Sequence, residues 1–177
     1  ISNEQYLEMF LNAKQIEGCS SRTIQYYRMT AEHLLKCVKI PIRQMSTEDI
    51  RKYLIDYQKI NGCSKVTLDN VRRNLSSFFS WLEEEDHILK SPVKRIHKIK
   101  TKTVVKEVIS DESIEILRDN CEEKRDLAII DLLFSTGMRV GELVNLDIAD
   151  IDFNERECVV YGKGDKERRV YFEAKAK

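Results

Sequence analysis

The chain has 177 residues, with 30 Lys+Arg against 30 Asp+Glu, 42% hydrophobic and 34% charged residues. That length holds one or two small domains with real cores. No apolar run is long enough to span a bilayer and the first residues do not read as a secretory signal, so a cytoplasmic protein with no membrane partner is expected. Five widely spread cysteines without a C-x-x-C pair argue against a zinc site or a disulfide framework and for free thiols in a reducing compartment. Neither a metal nor any other cofactor is expected.

The first hundred residues predict four helices. Residues 2–16 form the first. The second runs over about 21–38, with Ile24, Tyr27, Ala31, Leu34, Leu35 and Val38 on its apolar stripe. The third opens on Ser46-Thr47-Glu48-Asp49, a capping-box pattern, and carries Ile50, Tyr53, Leu54 and Tyr57. The fourth runs over about 64–84 with Leu68, Val71, Leu75, Phe78, Phe79 and Leu82. Apolar residues three and four apart give each helix one stripe, as a small bundle requires.

A weak repeat lies inside this bundle. Ile16-Glu17-Gly18-Cys19-Ser20-Ser21-Arg22-Thr23 matches Ile60-Asn61-Gly62-Cys63-Ser64-Lys65-Val66-Thr67 at Ile, Gly, Cys, Ser and Thr. Each copy reads as a helix ending near Gly, then a Ser cap opening the next helix. Each new helix offers a hydroxyl, a base (Arg22 or Lys65) and free backbone N–H groups, which suits a phosphate. Ordinary capping accounts for the same residues.

Charge is uneven along the chain. Residues 1–100 carry 17 bases against 12 acids, a net +5, and the remainder 13 against 18, a net −5. Lys90, Lys94, Arg95, Lys98, Lys100, Lys102 and Lys106 follow one another with no acid between Asp86 and Glu107. Such a run serves either as a solvated linker or as a strand tracking nucleic-acid phosphates. Pro92 breaks the preceding helix, so residues 91–109 are expected to join two domains. Beyond it come a short capped helix over 110–120 and an apolar helix over 125–134, expected to be buried. A short helix over 140–146 follows, then strands over 150–161 and 167–172 joined by a turn at 162–166.

Two segments carry candidate chemistry. In Thr136-Gly137-Met138-Arg139-Val140-Gly141-Glu142-Leu143, Arg139 stands at a glycine-marked helix boundary, and a guanidinium held there can grip two phosphate oxygens at once. Glu142, three residues on, shares its face and is placed to orient it, either for function or as a plain structural pair. In Gly162-Lys163-Gly164-Asp165-Lys166-Glu167-Arg168-Arg169-Val170, Lys163 sits between glycines at a hairpin tip, suited to bind phosphate or donate a proton. Alone, it also reads as a solvated turn.

In order and spacing these segments resemble the tyrosine recombinase (phage integrase) family, in a Xer-like form. Thr136 to Leu143 match its T-G-x-R-x-x-E-L box, and Gly162 to Arg168 match its G-K-G-x-K-x-R hairpin. The resemblance implies a mainly α chain: a four-helix, SAM-like core-binding domain over 1–90, a basic linker over 91–109, and over 110–177 the start of an α+β catalytic domain with a small antiparallel sheet. It implies site-specific strand exchange on double-stranded DNA through a 3′-phosphotyrosyl intermediate, by a tetramer on paired sites. Arg139 would clamp the scissile phosphate, Glu142 would support it, and Lys163 would protonate the leaving 5′ oxygen. Arg22, Thr23, Tyr27, Lys65, Thr67, Asn70 and Arg73 would face DNA, a solvated helix face being the alternative, as would Lys94, Arg95, Lys98 and Lys100 on the linker; Lys166 and Arg168 on the hairpin would touch the DNA backbone or else support the hairpin.

The family's second box, H-x-x-R, and its nucleophilic Tyr have no match here. The three histidines precede Arg139, and Tyr161 and Tyr171 read as packing residues on the hairpin strands. The chain is therefore expected to be a fragment that binds DNA without cleaving it. The alternatives are a naturally short, non-catalytic protein occupying recombination sites, or a helical interaction module. Self-association of the incomplete second domain is expected.

Overall fold

The computed structural model describes residues 1–102, 105–162, 164 and 166–176. Helices α1 (Asn3–Ile16), α2 (Ser21–Cys37), α3 (Thr47–Asn61), α4 (Lys65–Glu84), α5 (Asp111–Asp119), α6 (Lys124–Thr136) and α7 (Val140–Val144) precede strands β1 (Ile151–Asp152), β2 (Glu157–Tyr161) and β3 (Glu167–Tyr171). The fold is mainly α with a small antiparallel sheet. It divides into two compact units, Ile1–Val104 and Val105–Lys177. No helix among the described residues is long and apolar enough to cross a membrane.

The first unit is a four-helix bundle whose starts are fixed by side-chain caps. Ser20 and Ser64 accept from the backbone N–H of Thr23 and Thr67, and their hydroxyls lie 2.9 and 3.0 Å from the Thr23 and Thr67 hydroxyls. The two copies of the repeat thus share one cap geometry at the start of α2 and α4, while the preceding helices end differently, at Glu17 for α1 and at left-handed Gly62 for α3. Ser46 and Asp49 cap α3 reciprocally, and Ser2 with Gln5 does the same for α1. The apolar stripes meet around Phe10, Leu34, Ile50, Leu75, Phe78, Phe79 and Leu82, all buried. Phe10 packs with ring centroids 5.1 Å from Phe78 and 5.7 Å from Trp81.

The segment expected to be a linker over 91–109 divides in two. Residues 91–99 are pinned to the bundle: Ser91, Pro92 and Val93 are buried, and Ile96 and Ile99 pack on the same core. Buried Asp69 on α4 accepts from the Ile99 N–H at 3.0 Å and from Arg72 Nε at 2.8 Å. Glu83 accepts from the Ser91 N–H at 3.0 Å and from Lys94 at 3.1 Å. The apolar residues Val93, Ile96 and Ile99, spaced among the lysines, explain why this half folds back.

The second unit has a smaller buried cluster, Met138, Cys158, Val160, Val170 and Phe172 among the described residues. Its sheet runs β1-β2-β3, with Val160 opposite Arg168 and Cys158 opposite Val170. Two expectations are corrected here. The strand expected over 150–161 is broken by a turn at 153–156, where the Asp152 carboxylate takes the N–H groups of Asn154 and Glu155 and Arg156 adopts φ 55. A short carboxylate serves as the turn former, so neither Gly nor Pro is needed. The helix expected to be buried over 125–134 is not: within α6 Asp131 is buried, held by Arg118, while Ile129 and Phe134 are 38% and 46% exposed. Leu132 and Leu133 reach the sheet's cluster, and the Arg118 guanidinium of α5 lies 5.2 Å from the Phe134 ring centroid.

Candidate active site

The turn after α6 is built to present Arg139. The Thr136 hydroxyl donates to the Leu132 carbonyl at 2.6 Å and accepts from the Met138 N–H at 3.2 Å. Gly137 takes φ 61, a left-handed conformation that costs a side-chain-bearing residue energy. Met138 is then buried, and Arg139 becomes the extended residue that starts α7 with its side chain 74% exposed.

Glu142 holds the arrangement together. Its side chain is only 4% exposed. Its Oε1 accepts from Arg139 Nη1 at 2.9 Å, and its Oε2 accepts from the Arg139 backbone N–H at 2.8 Å and from Arg168 Nη2 at 2.7 Å. The Arg139 N–H, then the Arg168 guanidinium, hold the carboxyl down to about 2 against the opposing cost of burial. Gly162 sits against this carboxylate: a Cβ there would lie 3.4 Å from Glu142 Oε1 and 3.5 Å from the Lys166 carbonyl. The Gly162 N–H donates to that carbonyl at 2.8 Å, closing the hairpin's base. The two sequence segments therefore meet at one buried carboxylate. Arg139 gives Glu142 its backbone N–H and one guanidinium N–H, and the rest of a guanidinium on a side chain 74% exposed is accessible, which suits a phosphate oxygen.

Lys163, the other expected catalytic base, lies outside the described residues. Lys166 is exposed beside it in sequence. Strand alternation puts Arg168 on the packed face with Val160 and Val170, and sends Tyr161, Glu167, Arg169 and Tyr171 to the opposite face. Tyr161 and Tyr171 are 57% and 63% exposed, so neither packs in the core as expected, and neither shares a face with Glu142.

On the first unit, Arg22, Lys65, Thr67, Asn70 and Arg73 are exposed, and Thr23 is half-buried at its cap. Tyr27 points inward instead: its ring packs edge-on to Phe10 at 5.2 Å and its hydroxyl accepts from Ser77 at 3.4 Å. Its neighbour Tyr26 is the exposed aromatic, with the Arg22 guanidinium 5.9 Å from its ring centroid. The four-residue spacing from Arg22 to Tyr26 was the available signal for that pair. Arg95, Lys98 and Lys100 are exposed, and Lys94 is paired with Glu83.

Two family profiles divide the chain between them. Residues 6–88 match "Phage integrase, N-terminal SAM-like domain", and residues 93–177 match "Phage integrase family". The chain belongs to the phage integrase family. Among curated relatives, Tyrosine recombinase XerC of Thermodesulfovibrio yellowstonii is 33% identical over 97% of this chain and 59% of its own length. The XerC of Staphylococcus haemolyticus is 30% identical over 96% and 60%. The chain thus spans about three fifths of the length of these integrase-family relatives. Among solved structures, a lambda integrase dimer bound to a COC' core site superposes with TM-score 0.78 at 18% identity, covering 97% of this chain and 49% of the other. The Tn1549 transposon integrase in complex with circular intermediate DNA gives 0.66 at 21% identity, covering 97% and 61%. At those identities the likeness is one of fold.

Proposed function

We propose that this chain is the DNA-holding and first catalytic part of a site-specific tyrosine recombinase. The observation that carries this reading is the meeting of the Arg139 segment and the Lys163 hairpin at Glu142. An exposed guanidinium, anchored at one end by a buried carboxylate, is a preorganised clamp for a phosphodiester. In the reaction a tyrosine oxygen attacks phosphorus and the bond to the 5′ oxygen breaks. Lys163 supplies the proton to that oxygen, and the chain is left joined through a 3′-phosphotyrosyl link. Arg139 neutralises the charge building on the equatorial oxygens. The nucleophile is supplied by no tyrosine of this chain, so the 177 residues alone bind DNA and do not cut it. Bond energy is retained in the covalent link, and neither a nucleotide nor a metal is required.

The first unit holds duplex DNA. The capped starts of α2 and α4 present N–H groups and the bases Arg22 and Lys65 to phosphates. Thr67, Asn70 and Arg73 extend that face, and Arg95, Lys98 and Lys100 add to it from the pinned segment. The full recombinase works as a tetramer on paired sites. The uncovered apolar side of α6 and α7, with Ile129, Phe134, Val140 and Val144 exposed, favours self-association of the second unit. The interface is tested by anisotropy titration of a labelled duplex at low salt. Replacing Arg22, Lys65 and Arg73 together by Gln is expected to weaken binding about tenfold or more, since phosphate contacts dominate affinity. Unchanged affinity would place the DNA elsewhere.

A further inference from the structure

We infer that Arg168 is a positioning residue for Arg139, acting through Glu142; this rests on the reading of Arg139 as the phosphate clamp. Arg168 lies on the same face of β3 as Val170, opposite Val160 on β2, and although its side chain is 42% exposed its guanidinium reaches Glu142 Oε2 at 2.7 Å. A carboxylate 4% exposed is costly to keep charged unless its oxygens are matched by donors. Here the oxygens divide the work: Oε1 takes the Arg139 side chain, and Oε2 takes the Arg139 backbone and Arg168. On the hairpin side the carboxylate is bounded by Gly162, where a Cβ would already touch Oε1 at 3.4 Å. The hairpin and the Arg139 backbone therefore hold the carboxylate between them, and the carboxylate sets the orientation of the Arg139 side chain. Without Arg168, both oxygens keep a donor from Arg139 but the carboxylate loses its tie to β3, and with it the restraint on the partner of Arg139 Nη1. The β2–β3 hairpin and the turn that delivers Arg139 are thus tied to each other at one carboxylate.

The test is made on the 177-residue chain without DNA, so its failure is separable from failure of the DNA-binding reading. Arginine side-chain nitrogen NMR reports rotation about the Nε–Cζ bond of Arg139. The native chain is expected to show separate Nη signals for Arg139. Arg168→Met is expected to merge them while the Val160 and Val170 methyl signals keep their dispersion, and Arg168→Lys is expected to restore part of the separation. Arg139 signals unchanged in a folded Arg168→Met variant would overturn the proposal, as would a folded Arg168→Lys variant that restores none of it. Should Arg168→Met lose the methyl dispersion, Gly162→Val decides. It keeps Arg168 but crowds the carboxylate, and unchanged Arg139 signals there would also overturn the proposal.

Discussion

Glu142 is the residue at which the Arg139 turn and the hairpin of the second unit meet. Its carboxyl is held at about 2 in the fold against an ordinary value of 4.5. A carboxyl depressed by folding adds stability that is complete above its unfolded value and is lost as pH falls through the folded one. The second unit is therefore expected to lose stability between about pH 4.5 and 2, and Glu142→Gln should remove that part of the pH dependence while lowering stability at neutral pH. Denaturant melts from pH 6 downward, followed by tyrosine signals of the sheet, check this; parallel profiles for the two chains would contradict it. Asp69 offers a second case, in a buried pair whose side chains are 11% and 13% exposed. Asp69→Ala leaves Arg72 uncompensated and frees the Ile99 N–H, at a cost of about 3 kcal/mol by chemical denaturation. Residues of this kind differ in how far the sequence reveals them. Arg139 with Glu142 was readable, because three residues along a helix place two side chains together. Arg168 was not, because its partner depends on which face of β3 it occupies and on how the sheet packs against α7.

Among the elements, those with a strong period and a chemical start signal were legible. The α1–α4 stripes repeat at three and four residues, and each helix opens on a serine cap. Removing a cap should cost about 1 kcal/mol, so Ser64→Ala is expected to lower the bundle's stability by that amount in denaturant melts. Truncating a buried ring should cost more: Phe78→Ala, at the centre of the aromatic cluster, is expected to cost about 3–5 kcal/mol. The β1–β2 turn was not legible, because its turn former is the carboxylate of Asp152 inside a run that otherwise reads as strand. The exposure of α6 was missed for a different reason. Its composition is apolar nearly all round, and composition says what a helix could bury, whereas coverage depends on which other elements are present. Residues 91–99 show the reverse. Their charge suggested a free linker, but the interspersed Val93, Ile96 and Ile99 and the Asp69 carboxylate fasten them to the bundle.

At the scale of the whole molecule the two units are unequally supported. The first buries a continuous aromatic and aliphatic core, while the second buries a small cluster beside the sheet and leaves apolar residues of α6 and α7 uncovered. Amides of the second unit are accordingly expected to exchange with solvent faster than those of α4, unless association covers the exposed side. Equal protection in a monomer would count against this. The first unit's basic face and the Arg139 site make the larger claim, that the chain grips the backbone of duplex DNA. That claim is tested most directly by measuring affinity for a duplex across a range of salt. If several phosphates are neutralised, the logarithm of the association constant falls linearly with the logarithm of salt, by about 0.9 for each contact. We expect a steep slope of that kind, with binding readily measured at about 50 mM salt and largely lost by about 200 mM. No binding at the lowest salt, or binding indifferent to salt, would contradict the account.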